Sequence, residues 1–225
     1  GKATPENLGK VQAALLRIEA LQDTIKAPAP KGVKPHLWLN SHEVEELLGT
    51  CDSNLAGQRD RLALALLVAA GLRREEAVKL RFEDVQVQPV QGHMRAVLSI
   101  KGKGAKNRVV PISDDLAYLV DTWGDTIGRG GPVLRSVNKG GKVGNSLSAQ
   151  GLFTIVQRHG ALIGLPELAP HDLRRTYAQI GYESGVPVTQ ISRLLGHESI
   201  ETTQRYLDLT LDLETTISDF VPIGP

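Results

Sequence analysis

Cysteine is all but missing from this chain. Cys51 stands alone among 225 residues, which excludes an intramolecular disulfide and fits a reducing compartment. Aromatic residues make up only 4%, so an aliphatic core of Leu, Val, Ile and Ala is expected. No apolar run reaches the ~18 residues that a membrane span requires, and nothing reads as a signal peptide. A surplus of charge is absent too: the formal net charge is +1, whereas a nucleic-acid-binding domain usually advertises itself by a strongly basic balance. That small total conceals an uneven distribution. Residues 207–225 hold Asp208, Asp212, Glu214 and Asp219 with no Lys or Arg, which leaves +5 on the first 206 residues. Between Lys101 and Arg108, four cations fall within eight residues without an acid. With 41% hydrophobic and 23% charged residues, the remainder describes a soluble globular protein of one or two domains, long enough to bury a substantial core.

Hydrophobic periodicity predicts a mainly α fold with a small antiparallel β-sheet. Leu8–Ile25 sets Val11, Leu15, Ile18, Leu21 and Ile25 on one helical stripe, and the Pro-rich run from Ala27 to Pro35 ends it as a linker. Asn40 with Glu43 three residues on reads as a capping box that opens a helix over Ser41–Leu48. Arg59–Leu72 is nearly continuous in Leu and Ala, long enough for a buried helix, and Arg74–Leu80 follows as a shorter one after Gly71. Val85 and Val87 alternate with Gln86 and Gln88, while Met94–Ile100 and Asn107–Ile112 are β-rich and flank a Lys-Gly-Lys-Gly turn. Helical pattern returns over Asp114–Trp123. Gly128–Ser146 holds six glycines and few apolar residues, and reads as a long, mobile loop. Leu147–Leu162, Asp172–Glu183, Val188–Leu195 and Ser199–Leu207 complete the helices, the last capped by Ser199. There is no internal repeat.

One combination of residues is unusual. Leu194–Tyr206 reads LLGHESIETTQRY, with Tyr206 nine residues after His197 of a Gly-His pair. His171–Tyr177 reads HDLRRTY, with His171 and Arg174 three apart at the start of a helix that follows Pro170. Upstream, Gly71–Glu76 reads GLRREE and places Glu76 one helical turn after Arg73. Lys103 lies between two turn glycines. Each has a plain structural explanation by itself: an exposed helix pair, a solvated turn lysine, a capping histidine, a half-buried tyrosine. Together they assemble a nucleophile, proton carriers and guanidinium groups. No phosphate-cradling Gly loop, metal-ligand cluster or Gly-x-Ser-x-Gly elbow competes with them.

On these four blocks, in this order and spacing, the chain resembles the tyrosine recombinase (phage integrase) family from about Leu39 to Tyr206. The resemblance implies that Arg73 and Arg174 clamp a scissile phosphate, with Glu76 behind them orienting the cluster. It implies that Lys103 protonates the leaving 5′ oxygen, that His171 assists proton transfer, and that His197 donates a hydrogen bond to the phosphate. Tyr206 would be the nucleophile. Lys101 and Lys106 lie close enough to Lys103 to share its assignment, which the Gly-Lys-Gly context favours for Lys103. Together with Arg108 and Arg175 they are candidate DNA contacts, Arg175 having a salt bridge as its other prospect. The family's DNA-clamping N-terminal domain needs several helices, so residues 1–35 are expected to be a remnant of it or a connection to it. Residues 36–206 would form the catalytic domain and 207–225 a tail that docks in cis or in trans.

Phosphoryl transfer from DNA needs a nucleophile, cations for the non-bridging oxygens and an acid for the departing oxygen. Guanidinium groups suit the second need, being planar, bidentate and charged at any working pH. A phosphotyrosyl ester keeps the energy of the broken phosphodiester, so religation needs no ATP. The resemblance therefore implies site-specific recombination on double-stranded DNA through a 3′-phosphotyrosyl intermediate. It also implies no metal or other cofactor, a homotetramer on paired sites, accessory directionality proteins, and a cytoplasmic, nucleoid-associated protein with no membrane contact. A type IB topoisomerase, a catalytically silent DNA-binding domain and a metal-dependent nuclease are the alternatives.

Overall fold

The computed structural model describes residues 37–101, 107–204 and Leu207. The N-terminal helix and linker, Lys103, Lys106, Tyr206 and the tail beyond Leu207 lie outside the described residues. The capping box expected at Asn40 is in place and opens α1 (Ser41–Gly49). The Asn40 side chain accepts from the Glu43 amide at 3.0 Å, and the Glu43 carboxylate accepts from the Asn40 amide at 2.8 Å. Asn54 caps α2 (Leu55–Val68) by accepting from the Gly57 amide at 2.9 Å, so this helix begins four residues before the Leu/Ala run had suggested. It also stops short of Leu72. Gly71 there adopts φ +59° and runs so close to Tyr177 that a Cβ would lie 2.5 Å from the ring. From Leu62 to Val68 every residue of α2 is buried, the mark of a helix enclosed on all sides.

Arg74–Lys79 forms the short helix α3, and a single 3₁₀ turn, Phe82–Asp84, leads into the sheet. Strands β1 (Val85–Val90), β2 (His93–Lys101) and β3 (Asn107–Pro111) pair antiparallel in the order β1-β2-β3. The register sets Leu98 opposite Val110 and Ile100 opposite Arg108. Residues directly opposite share a face of the sheet, as do residues two apart. Leu98, Ile100 and Val110 are all buried, so Arg108 belongs to the inner face.

Ser113 caps α4 (Asp114–Ile127), which continues one turn past the predicted Trp123. Four helices follow: α5 (Ala149–Leu162), α6 (Pro170–Glu183), α7 (Val188–Leu195) and α8, described over Ile200–Gln204. Helix α2 packs against α4 and α6, α3 against α5, and α7 against β3, α6 and α8. The core is aliphatic, as expected from the scarcity of aromatics. Trp123 and Phe82 are the buried aromatic exceptions among the described residues, and the Trp123 indole N–H donates to the Val133 carbonyl at 2.7 Å. Asp60, 1% exposed on α2, accepts from Arg59 at 2.6 Å, pairs with Arg158 of α5 and lies 3.3 Å from Nε2 of His159, a tie between the two helices. Burial raises the Cys51 thiol to about 11, with Asp60 nearby adding to the shift, so this lone cysteine is an inert filler.

The segment Gly128–Ser146 departs from the mobile loop expected of it. Its path is irregular but fixed: the Val133 amide donates to Leu80 at 2.9 Å, the Leu147 amide to Leu134 at 3.0 Å, and Ser136 exchanges backbone bonds with Gly144 and Ser146. Val133 and Leu134 are fully buried. Two apolar side chains reaching the core outweigh the freedom of six glycines. Leu134→Ala should therefore lower the unfolding free energy by ~2–5 kcal/mol, as for other buried leucines. In urea denaturation, a change within about 0.5 kcal/mol, as at ordinary surface sites, would return the segment to a loose loop.

Candidate active site

Glu76 is the hub on which the charged side chains converge. At the third position of α3 its carboxylate turns back to accept from the Arg73 amide at 2.8 Å, as the capping geometry of a short helix demands. The same carboxylate accepts from the Arg73 guanidinium at 2.9 Å and takes both Nη atoms of Arg108, one on each oxygen, at 2.7 Å. Arg174 Nη1 stands 3.9 Å away. Burial works to raise this carboxyl, but the hydrogen bonds from Arg108 and Arg73 outweigh it and hold Glu76 at about 2. Glu76 is thus a fixed anion.

The second half of the frame comes from the end of α7. A helix C-terminus leaves its last carbonyls without intrahelical partners and with a partial negative charge. Here three consecutive carbonyls are each taken by a different arginine. Leu194 O accepts from Arg108 Nε at 2.9 Å, Leu195 O from Arg174 Nη2 at 2.5 Å, and Gly196 O from Arg73 Nη2 at 3.0 Å. Arg174 also donates to Gly71 O at 2.5 Å. Gly196 makes the turn possible: it caps α7 at φ +64°, and a Cβ there would sit 2.9 Å from Cδ of Arg108.

Exposure grades the three guanidinium groups. The Arg73 side chain is 44% exposed, that of Arg108 12% and that of Arg174 3%. Arg73 faces a groove of about 1020 Å³ whose lining includes Lys101, Arg108, Gly196 and His197. It also borders a smaller recess of about 320 Å³ shared with Phe153, His171 and Arg174. His197 is half-buried, with Nδ1 2.8 Å from the Thr203 hydroxyl. Burial first, then the charges of Arg174, Arg73 and Arg108, depress it to about 4, so the imidazole is neutral at ordinary pH. His171 is exposed, and its Nε2 lies 3.1 Å from Asp172.

The structure therefore gathers Arg73, Glu76, His171, Arg174 and His197 into one region, while Lys103 and Tyr206 lie outside the described residues. The candidate DNA contacts divide. Lys101 lines the groove, 3.3 Å from Asp84. Lys106 is outside the described residues. Arg175 turns to Asp172 at 3.6 Å, the salt bridge that was its other prospect. Arg108 points inward to Glu76 instead of outward, a role that sequence reasoning missed. The signal was available in the alternation of Arg108 with Val110, which places both on the buried face of β3.

Residues 37–211 match the phage integrase family, more than three quarters of the sequence. The chain belongs to that family. The match covers every residue of the site. Among curated family members, tyrosine recombinase XerA of Pyrococcus horikoshii is 35% identical over 173 residues, 76% of this chain and 56% of that protein. The chain thus spans little more than half the length of that relative. Among solved structures it is similar to the XerH site-specific recombinase bound to a palindromic difH substrate after cleavage. The TM-score is 0.63 at 26% identity, covering 80% of this chain and 51% of that one. The catalytic domain of bacteriophage HP1 integrase matches at TM-score 0.54 and 26% identity, over 76% of this chain and 87% of that domain.

Removing the hub of this integrase-family site exposes its cost. Glu76→Gln leaves three clustered guanidinium groups without their counter-charge and should destabilise the fold by ~3–5 kcal/mol at pH 7. Because the folded carboxyl lies below its ordinary 4.5, the wild-type contribution is complete above pH 4.5 and is lost as pH falls towards about 2. Denaturation midpoints of the two proteins should accordingly converge through that window. A gap that stays constant down to pH 2 would mean that Glu76 acts through packing and not charge.

Proposed function

We propose that this chain is the catalytic part of a site-specific DNA recombinase that cuts and rejoins double-stranded DNA through a 3′-phosphotyrosyl intermediate. The observation that carries this reading is the guanidinium cluster. Both oxygens of Glu76 are occupied by arginine donors, so the cluster is built to receive an anion, and Arg73 presents its charge to an open groove. The lengthwise match to the family and the likeness to XerH, whose structure holds its DNA substrate after cleavage, support the choice of a DNA phosphodiester.

In this reading the phenolic oxygen of Tyr206 attacks the scissile phosphorus, and the bond from phosphorus to the 5′ oxygen breaks. Lys103 gives that oxygen its proton. Arg73 and Arg174 offset the charge that builds on the non-bridging oxygens, Arg174 from beneath and Arg73 from the groove wall. His197, neutral at working pH, contributes a hydrogen bond, and exposed His171 carries the proton that Tyr206 releases. The 5′-hydroxyl of a partner strand then attacks the phosphotyrosyl ester, and the phenol leaves. Strand exchange needs a homotetramer on paired sites, with accessory proteins setting direction. Such a protein works in the cytoplasm, on the nucleoid.

A DNA duplex with a nick beside the cleavage site traps the covalent complex, because the short released strand diffuses away. Wild-type protein should yield a denaturant-resistant adduct that maps to Tyr206. Tyr206→Phe should bind the same DNA and yield none. An adduct on Tyr177 would sink the assignment; burial raises that phenol and it packs beneath Gly71. Arg73→Ala should slow adduct formation by ~10²–10³, the usual loss when one electrostatic donor is removed. Lys103→Ala should be slow on ordinary DNA and largely restored on DNA with a 5′-bridging sulfur, which leaves without a proton. Equal impairment on both substrates would give Lys103 a different task.

A further inference from the structure

Thr203 is fully buried on α8, three residues ahead of Tyr206. Its carbonyl accepts from the Leu207 amide at 3.2 Å, and Leu207 is itself buried against Ala178, Ile191 and Leu195. The Thr203 hydroxyl lies 2.8 Å from Nδ1 of His197, the one hydrogen-bond partner it has among the described residues. None of the residues assigned by the family motif is Thr203, yet it ties the Gly-His turn to the helix that leads to Tyr206.

We propose that Thr203 is a positioning residue: its hydroxyl donates to Nδ1 of His197 and holds the imidazole as the tautomer with its proton on Nε2. The hydroxyl fixes the direction of this bond. A buried donor left unsatisfied is costly, whereas an unused acceptor lone pair is tolerated more readily. If Nδ1 carried the ring proton and gave it to Thr203, the hydroxyl's own hydrogen would have no acceptor among the described residues. Donation from the hydroxyl to Nδ1 satisfies both groups. Depressed to about 4 by burial and by three nearby arginines, His197 has one ring proton at neutral pH, and Nδ1 as acceptor leaves it on Nε2.

The consequence rests on the function proposed above. A phosphate oxygen accepts hydrogen bonds and cannot give one, so only an imidazole with Nε2–H attracts it. The opposite tautomer would turn a lone pair towards an anion. A hydroxyl on the helix that leads to the nucleophile thus sets which ring atom can donate. Because Thr203 and Leu207 are both anchored, any shift of that helix also shifts the group that sets the tautomer of His197. Alignment of the nucleophile helix and readiness of the phosphate donor are coupled through one hydrogen bond.

Nitrogen-15 NMR separates protonated from unprotonated imidazole nitrogens, and the His197 signals are identified by their loss in His197→Gln. The free wild-type protein at pH 7 should show Nε2 protonated and Nδ1 bare. Thr203→Ser should keep that pattern and cleave nicked DNA within a few-fold of wild type. Thr203→Val keeps the shape and deletes the hydroxyl. It should give mixed tautomers and slow adduct formation roughly 10- to 100-fold, as loss of an orienting partner does at other imidazole sites, with DNA binding unchanged. In a His197→Gln background the same substitution should cost nothing further. Protonated Nδ1 in the wild type overturns the proposal, and so does wild-type cleavage by Thr203→Val. The tautomer reading needs neither DNA nor cleavage, only the His197→Gln spectrum that identifies the signals. A protein that formed no adduct would therefore fail the recombinase reading while the tautomer was still decided.

Discussion

One carboxylate makes the rest of this site tenable. Glu76 holds two guanidinium groups by direct hydrogen bonds and a third at 3.9 Å, in a place where its own side chain is only 10% exposed. Three such cations packed together without a counter-charge would repel one another and lose their hydration, a combination that folding energy rarely tolerates. With Glu76 ionised, the cluster keeps an excess of positive charge, because three cations face one anion. That excess suits the phosphate of the proposed reaction. It also adds to the burial that keeps His197 neutral.

The end of α7 does with dipoles what Glu76 does with a full charge. Carbonyls 194 to 196 are the unsatisfied acceptors that every helix end leaves, and all three are occupied by the arginines. Arginine suits this task, since its planar fork of five donors reaches a carboxylate and a carbonyl at once in a fixed geometry. The guanidinium groups are therefore held by protein acceptors alone, which would leave little reorientation for the proposed reaction. Gly196 is the hinge of the arrangement, needed for its left-handed backbone and for the closeness of Arg108.

Much of this was legible from residue order. The capping box at Asn40 and Glu43, the buried Leu/Ala helix and the three strands follow from short-range rules. Counting glycines in Gly128–Ser146 suggested mobility, but Val133 and Leu134 decide the matter because their burial fixes the backbone on either side. The Leu/Ala helix was placed four residues late because its start is set by Asn54, a cap that lies outside the apolar run. Arg108 was grouped with surface cations by its neighbours in sequence. Its position opposite Ile100 puts it on the other face of the sheet.

The chain by itself determined the elements, the family motif and the identity of the charged groups, because periods of 2 and 3.6 residues and fixed motif spacings are properties of neighbouring residues. It did not determine the partners. Arg73 reaches a carbonyl 123 positions away, Arg174 one that is 103 away, and Arg108 a carboxylate at 32. No local rule links such positions. Only the packing of α7 against β3 and α6 brings a helix end, a strand and a short helix close enough to exchange hydrogen bonds. Within that packing, desolvation forces each buried guanidinium to find an acceptor, and the acceptors within reach are the Glu76 carboxylate, the Gly71 carbonyl and the open carbonyls at the end of α7.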